Sequence, residues 1–146
     1  MTTTTTRLTG PTVGELMSIE PITVAADQPV SVAEQVMSSR NVSGLPVVDR
    51  LGRLVGVISQ TDLVRAHASG RSVASWPGLT VRHLMTSPAL TIRLDETLLT
   101  AARMLEQHHV HRLVVVAPDG KHPIGVISTT DMVRALAELL EAADDR

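Results

Sequence analysis

Hydrophobic and polar residues follow one order along this chain, and that order occurs twice. Each copy has a short apolar segment, a brief strand, a helix with one apolar face, two apolar strands joined by a turn, and a final helix. On the first long helix of each copy, apolar residues recur at the spacing of one helical face. They are Val30, Ala33, Val36 and Met37 in the first copy and Leu98, Ala101, Ala102 and Leu105 in the second. The pattern predicts an α+β fold class, with two tandem β-α-β-β-α repeats packed with pseudo-twofold symmetry.

The repeats divide the chain into four segments. Residues 1–10 form a Thr-rich tail that we expect to be disordered, and residues 11–68 form the first repeat. Residues 69–80 are the linker, in which Trp76 is expected to pack against the two halves, and residues 81–143 form the second repeat. A single repeat of this size is marginal for burying a core, so we expect the two to pack face to face and to leave clefts between them.

Single residues sharpen these predictions. Asp27 and Asp95 precede the long helices and are expected to cap them. Pro46 lies in a predicted strand and restricts it to an edge or to the start of a strand. Gly56 and Gly125 lie inside strands, where glycine often marks the close approach of a ligand or of another backbone.

One stretch is almost identical in the two copies. Residues 56–66 read GVISQTDLVRA and residues 125–135 read GVISTTDMVRA, so the two differ at only two positions. Each is a β-branched run that ends at a hydroxyl-rich turn and continues as a helix. The question for function is what two copies of this turn do.

The aspartates of these turns, Asp62 and Asp131, admit two interpretations. A carboxylate in the first turn of a helix can cap free backbone N–H groups and is favoured by the helix dipole. It can also accept both hydroxyls of a ribose, since it has two acceptor oxygens. Nearby hydroxyls and helix-start N–H groups can meet phosphate oxygens. Those hydroxyls belong to Ser59, Thr61, Ser128 and Thr130.

Composition removes several classes of function. The chain has no Cys, a net charge of −2 and, of the aromatic residues, a single Trp. It offers no thiol nucleophile, no disulfide and no Cys-ligated metal site. Without a basic block or aromatic platforms, nucleic acid is not expected as a partner, and without a long apolar run neither is a membrane. We expect a soluble, cytoplasmic protein that is not an enzyme, because no nucleophile with a base and an orienting group is recognisable.

Three motifs carry a family resemblance. They are Leu-Met near the start of each copy, Leu-Pro-Val-Val-Asp followed by Gly, and the turn Gly-Val-Ile-Ser-x-Thr-Asp. From residue 13 to about residue 140 the chain resembles a pair of cystathionine β-synthase (CBS) domains, a tandem known as a Bateman module. Residues 41–49 and 109–116 also resemble the γ subunits of AMP-activated kinase, which sense adenine nucleotides.

The resemblance implies a regulatory module that binds an adenosine-containing ligand, such as AMP, ADP or ATP, in the clefts between the repeats. S-adenosylmethionine and NAD are further candidates, and no cofactor is required. The implied binding residues of the first repeat are Thr23, Val42, Ser43, Ser59, Thr61 and Asp62. Those of the second are Thr91, Val110, His111, Arg112, Ser128, Thr130 and Asp131. The resemblance also implies a homodimer and a protein effector in trans.

Each group of residues has an implied role. The aspartates take ribose hydroxyls, and the serines and threonines of the turns meet ribose or phosphate oxygens. Backbone and apolar groups near Thr23, Val42, Thr91 and Val110 hold the adenine. His111 and Arg112 match positions that contact phosphate, where the first repeat has Ser43 and Gly44 instead.

Other interpretations of the same residues stay open. Arg112 could form a salt bridge with Glu106 or with an aspartate of the turn. His109 and His111, placed on one face of a strand, invite a metal site, although two ligands are too few for a closed one. Met17 and Met85 are more typical of core filler than of a ligand pocket, and Arg65 and Arg134 of a solvated helix face. The second hypothesis for the whole chain is a structural dimerisation module without a nucleotide.

Overall fold

The computed structural model describes residues 10–19, 21–68 and 78–144. Within these ranges the helices are α1 Val13–Leu16, α2 Val30–Arg40, α3 Gln60–Ala68, α4 Val81–Leu84, α5 Leu98–His108 and α6 Thr129–Asp144. The strands are β1 Ser18–Ile19, β2 Val24–Ala25, β3 Gly44–Val48, β4 Leu54–Ser59, β5 Thr91–Arg93, β6 Arg112–Val116 and β7 Pro123–Ser128. The expectations for the Thr-rich tail and for Trp76 concern residues outside the described ranges, apart from Gly10. Across the described ranges, none of the helices has the length and apolar character needed to cross a membrane.

The structure contains two compact units, and they do not coincide with the two sequence repeats. One unit is continuous in the chain and spans Pro21–Ala89; we call it the continuous unit. The other combines the segment before residue 21 with Leu90 and the residues after it; we call it the composite unit. Helix α1 of the first repeat therefore belongs with the strands of the second, and α4 of the second repeat belongs with the strands of the first.

Backbone hydrogen bonds hold these exchanged segments in the same way in each unit. In the composite unit, the N–H of Gly14 donates to the carbonyl of Leu94 at 2.8 Å. In the continuous unit, the N–H of Arg82 donates to the carbonyl of Ala26 at 2.9 Å. Because backbone groups form these bonds, an almost constant geometry tolerates different side chains at the two places.

The two sheets share a pattern of three strands, to which the composite unit adds β1 as a fourth. In the continuous unit the order is β2-β3-β4, with β2 and β3 parallel and β3 and β4 antiparallel. In the composite unit the order is β1-β7-β6-β5, with β5 and β6 parallel and the other pairs antiparallel. The fold class is α+β with two repeats, as the sequence predicts.

Each unit has its own hydrophobic core, formed where apolar strand faces meet the apolar face of a long helix. The core of the continuous unit includes Val24, Val30, Ala33, Met37, Leu45, Val47 and Ile58. The core of the composite unit is formed by Val13, Ile92, Ala101, Leu105, Leu113, Val115 and Ile127. One predicted core position is wrong: Ala102 is exposed, because the buried stripe of α5 passes through Ala101 and Leu105 instead.

The predicted helix caps are wrong in both repeats. The N-cap of α2 is Pro29, which provides no side-chain hydrogen bond, and the N-cap of α5 is Thr97, whose hydroxyl accepts from the N–H of Thr100 at 3.2 Å. Asp27 instead lies near Arg50, with 3.7 Å between Oδ2 and Nε. Asp95 lies 3.4 Å from the Nε of Arg93. The helices begin two residues later than the aspartates alone suggest.

Pro46 lies in the middle of β3, the central strand of its sheet, and not at an edge or a strand start. The sheet accepts it because β2 pairs only with Val47 and Val48. On the other side Pro46 lies opposite Val57, whose N–H donates away from β3 to the carbonyl of Thr86 at 2.9 Å. The strand is central, but no ladder bond requires an N–H at this residue.

Candidate functional site

The turn after β4 is a complete capping box. The carboxylate oxygen Oδ2 of Asp62 accepts from the N–H of Ser59 at 2.9 Å and from its hydroxyl at 3.0 Å. In return, the N–H of Asp62 donates to the Ser59 hydroxyl oxygen at 3.2 Å. Each residue satisfies the other's free backbone N–H at the helix start, which is the structural interpretation of this motif.

The composite unit repeats the box with almost the same distances. Oδ2 of Asp131 accepts from the N–H and the hydroxyl of Ser128 at 2.8 Å and 3.0 Å, and the N–H of Asp131 donates back at 3.2 Å. A serine hydroxyl has a single proton. In both units that proton is already donated to the aspartate, so these serines position the carboxylates and are not free to donate to a ligand.

The second carboxylate oxygen is less engaged. Oδ1 of Asp62 accepts from the hydroxyl of Thr86 at 3.2 Å, and Oδ1 of Asp131 lies 3.8 Å from a terminal nitrogen of Arg134. A carboxylate has about four acceptor positions, so each aspartate keeps capacity for another hydroxyl. The side chain of Asp131 is 11% exposed, against 69% for that of Arg134. Arg134 therefore pairs loosely with the aspartate of its own helix.

The starts of β3 and β6 lie beside these turns. The carbonyl of Ser43 accepts from the N–H of Gln60 at 2.9 Å, and the carbonyl of His111 accepts from the N–H of Thr129 at 2.9 Å. Strand register brings Arg112 opposite Ser128. Within each unit, the structure thus brings together the predicted residues of the strand start and of the helix start.

The strand starts differ in charge. Arg112 is half-buried, and this burial lowers the pKa of its guanidinium below the ordinary value. Arginine nevertheless stays protonated under ordinary conditions, so it is a permanent cation with donors for an oxyanion. The equivalent residue of the continuous unit, Gly44, lies opposite Ser59 and carries no charge.

The residues predicted to hold an adenine are divided between core and surface. Val42 and Val110 pack against the cores of their units, and their N–H groups donate to Met37 and Leu105 at the ends of α2 and α5. Those N–H groups are therefore already hydrogen-bonded within their own units. Of the threonines, Thr23 is exposed whereas Thr91, at the start of β5, is half-buried. The exposed Thr61 and Thr130 lie one residue before the aspartates.

The strand placement of His109 is wrong. His109 ends α5 in the left-handed conformation, with φ of 54°, as Asn41 does at the end of α2. It does not alternate with His111 along a strand, since β6 begins only at Arg112. Among the residues that the structure describes, no three His, Asp or Glu side chains gather as metal ligands.

Another backbone segment passes close to each of the two strand glycines, Gly56 and Gly125. This close approach is one of the two interpretations that the sequence allows. A Cβ on Gly56 would lie 2.7 Å from the carbonyl oxygen of Thr86, and a Cβ on Gly125 would lie 2.8 Å from that of Ser18. Met17 and Met85, which directly precede Ser18 and Thr86, pack against the cores of their units, and this confirms their interpretation as core filler.

Sequence reasoning missed Thr86. It lies next to Asp62 although 24 residues separate the two, because it belongs to the exchanged segment of the other repeat. Its counterpart Ser18 is also a hydroxyl residue directly after a Leu-Met pair. That shared pattern is the only signal in the sequence that could have suggested it.

Comparison with known proteins supports the same architecture. The model of the CBS domain family matches residues 13–69 and again residues 81–138. CBSX2, a CBS-pair protein from Arabidopsis thaliana, has been solved in complex with AMP; it is 34% identical, with a TM-score of 0.78, over 89% of this chain and 98% of CBSX2. The CBS domain pair of the protein MJ0100, solved with 5′-methylthioadenosine and S-adenosyl-L-methionine, is 25% identical with a TM-score of 0.78, over 87% of this chain and 96% of that one.

Curated relatives include much longer proteins. Inosine-5′-monophosphate dehydrogenase of Aquifex aeolicus is 31% identical over 81% of this chain, which spans only 23% of that enzyme. The chain likewise spans between a fifth and a third of the first curated relatives it matches. Since both repeats match the family over most of the chain, this protein belongs to the CBS domain family and carries a pair of CBS domains.

Proposed function

We propose that this CBS pair is a regulatory module without catalytic activity of its own. In this proposal it binds an adenosine-containing ligand, such as AMP, ADP or ATP, and reports its occupancy to an effector protein. The observation that carries the proposal is the pair of carboxylates, each held by a serine through Oδ2 while Oδ1 keeps acceptor capacity. The complexes of CBSX2 with AMP and of MJ0100 with S-adenosyl-L-methionine support the adenosyl class of ligand.

In this proposal, Asp62 and Asp131 accept ribose hydroxyls through Oδ1. The capping boxes fix both carboxylates before a ligand arrives, so little side-chain entropy is lost on binding. Thr61 and Thr130 are exposed at the same helix starts and are the hydroxyls that can still donate. Ser59 and Ser128 act through the aspartates, since their own protons are committed.

The composite unit is the better site for a phosphorylated ligand. Arg112 and His111 lie at the strand start beside the capped helix N-terminus, where backbone N–H groups favour anions. The continuous unit has Ser43 and Gly44 at the same place and adds no cation there. We therefore expect nucleotide phosphates to favour the composite unit, and ligands without phosphate to distinguish less between the units.

The adenine would be held by aliphatic groups and backbone near Thr23, Val42, Thr91 and Val110. The chain has no Phe or Tyr to stack on a base. Val42 and Val110 already pack on their cores, and an apolar edge of this kind can cover a base without moving. Backbone carbonyls near these residues would read the amino group of the adenine.

The test is a titration with AMP, ADP, ATP, S-adenosylmethionine and NAD, followed by calorimetry and by the melting temperature. A specific ligand at one hundred times its dissociation constant adds about 2.7 kcal/mol to the free energy of unfolding. We expect Asp131→Asn to weaken AMP binding at least tenfold. The matched variant Ser128→Ala, which disturbs the same box but keeps the carboxylate, should lower stability by about 1 kcal/mol and change affinity much less. If no ligand binds at millimolar concentration, the proposal fails.

A second candidate function is a dimerisation platform that needs no nucleotide. It is favoured by the exposed apolar residues Val133, Leu136 and Leu140, which share one face of α6 and are each more than half exposed. Under this alternative Asp131→Asn would change stability alone. Sedimentation of Leu136→Glu against the wild type tests the surface, and an unchanged mass would remove its support.

A further inference from the structure

The continuous unit contains a pocket in which three of the eight lining residues are arginines. Its volume is about 370 Å³, at the lower end of the range for small-ligand pockets. Ala26 and Val48 contribute apolar surface, and Arg50, Arg53 and Arg82 contribute three guanidinium groups. Leu51 and two aspartates, Asp27 and Asp49, complete the lining, so the arginines outnumber the carboxylates by one.

The pocket lies at the far end of the β3–β4 hairpin from the capping box. Gly44 pairs with Ser59 at one end of the hairpin, and Val48 pairs with Leu54 at the other, beside the pocket. Four residue steps along a strand amount to roughly 13 Å. A ligand in this pocket would not occupy the ribose-binding position proposed for Asp62.

The two aspartates of the pocket do not fully neutralise its positive charge. Oδ1 of Asp49 accepts from the N–H groups of Leu51 and Arg53, each at 2.9 Å, which lowers the pKa of its carboxyl and fixes the turn. Its Oδ2 takes the Nε–H of Arg53 at 2.9 Å, one of the five N–H groups of that guanidinium. Arg50 lies 3.7 Å from Asp27, beyond hydrogen-bond distance, and its side chain is 92% exposed.

Arg82 is the most available of the three cations. Its backbone is anchored at the pocket, because its N–H donates to the carbonyl of Ala26 at 2.9 Å. Its guanidinium forms no hydrogen bond or ion pair with another residue of the described ranges. The lining carries one more positive charge than negative charge, and a bound anion would balance that excess.

The composite unit shows that the fold does not require this cluster. Gly14 holds the position equivalent to Arg82, since its N–H donates to Leu94 as that of Arg82 donates to Ala26. His122 holds the position equivalent to Arg53, since its carbonyl accepts from Ala117 as that of Arg53 accepts from Asp49. The same backbone thus exists without an arginine at either of these two positions.

We propose that Arg50, Arg53 and Arg82 form a binding site for a small oxyanion, a phosphate or carboxylate group, at the hairpin end of the continuous unit. The planar guanidinium presents paired N–H groups that match either oxyanion. The apolar floor would accept a short carbon skeleton attached to that group. The site is independent of the adenosyl function, because it shares no residue with it.

The experiment is a calorimetric titration of the full chain with inorganic pyrophosphate and, separately, with citrate. Arg82→Gln is the main variant, because its side chain holds nothing in place, and Arg50→Gln is the second. Arg103→Gln, an exposed arginine on α5, is the matched control for loss of one charge. Arg112→Gln tests whether the anion binds at the proposed nucleotide site instead of in the arginine pocket. Amide chemical shifts of Leu51 and Arg53 locate the bound anion.

We expect one or both anions to bind, to move those amide shifts, and to lose at least tenfold in affinity in Arg82→Gln. Arg103→Gln and Arg112→Gln should change the affinity less than threefold. Preference for pyrophosphate identifies a phosphate ligand, and preference for citrate a carboxylate. Equal losses in Arg82→Gln and Arg103→Gln would overturn the proposal in favour of general charge attraction. So would binding that only Arg112→Gln weakens, or no binding at millimolar concentration.

Discussion

Strands β3 and β6 differ at two of their five residues, and one of the two differences, Pro46 against Val114, shows which backbone bond the fold can do without. In the composite unit the N–H of Val114 donates to the carbonyl of Leu90 at 3.2 Å, and β5 begins one residue earlier than β2 does. In the continuous unit that position is Pro46, which has no N–H to give. The units therefore share the order of their three equivalent strands, while the continuous unit lacks this one backbone hydrogen bond.

The largest effect should come from making the composite unit resemble the continuous one. Val114→Pro removes the bond to Leu90 and forces a proline ring into a buried strand, at a cost of about 3 kcal/mol. The reverse change, Pro46→Val, should be close to neutral. A new hydrogen bond toward Ile22 offsets the lost rigidity of proline in the unfolded chain. Urea unfolding measures the free energy of unfolding of the two variants. Equal losses would show that the continuous unit depends on Pro46.

A smaller loss is expected where the exchanged segments cross the strands. Gly125→Ala brings a Cβ to 2.5 Å from the sulfur of Met17 and 2.8 Å from the carbonyl oxygen of Ser18. We expect about 2 kcal/mol of destabilisation, because a backbone oxygen cannot move aside as a side chain can. Gly56→Ala should cost a similar amount through the Thr86 carbonyl at 2.7 Å.

The double variant Gly125→Ala with Met17→Ala separates the two contacts of that glycine. Removal of the methionine relieves only the sulfur contact, so the clash with Ser18 should persist. Thermal unfolding of the single and double variants gives the coupling energy. Full recovery in the double variant would mean that the backbone approach is looser than the structure shows.

The sequence predicts the secondary structure better than the assignment of segments to units. The strand–turn–helix motif, the two long helices and the hairpins follow from local periodicity and are found in both copies. Which copy receives α1 is not encoded locally: a four-residue helix with Val13 as its only buried residue carries too little pattern to specify a partner. The exchange becomes visible only through backbone bonds such as that from Gly14 to Leu94.

The sequence predicts which residue types form the candidate site, but not which of them are already hydrogen-bonded to each other. Two aspartates in first helical turns were evident from the repeated motif, and both interpretations of them remained open. In the structure, both serine hydroxyls donate their protons to the carboxylates, which the spacing of residues in the sequence could not indicate. The arginine pocket was not predicted either, because Arg82 lies 29 residues from Arg53 in sequence and reaches it only through the exchanged segment.

The charge difference at the strand starts predicts a difference in ligand affinity. Arg112→Gln should weaken AMP at least tenfold, about 1.4 kcal/mol, because a paired contact to phosphate is lost. Adenosine, which has no phosphate, is the matched ligand and should change little. Calorimetry with both ligands measures the difference, and an equal loss for both would assign Arg112 to folding of the unit instead of phosphate recognition.

The smallest expected effect concerns the hairpin turns, where the two units use the same device with different cations. Asp119 accepts from the N–H groups of Lys121 and His122 and contacts the His122 ring, as Asp49 does with Leu51 and Arg53. The N–H of Lys121, followed by the side chain of His122, lowers the pKa of Asp119 from 3.8 to about 2. A carboxyl with a lowered pKa stabilises the folded state above its ordinary pKa.

The contribution of Asp119 to the free energy of unfolding should disappear as the pH falls from about 4 toward 2, because the carboxylate becomes protonated in the folded state as well. Asp119 is exposed, so the effect is best measured directly, by following the Lys121 amide shift during acid titration. Asp119→Asn should abolish the transition of that amide and leave the corresponding transition at Leu51, which reports on Asp49. Titration of Asp119 near 3.8 would show that the turn forms without the carboxylate, and the two hairpins would then owe their likeness to backbone geometry alone.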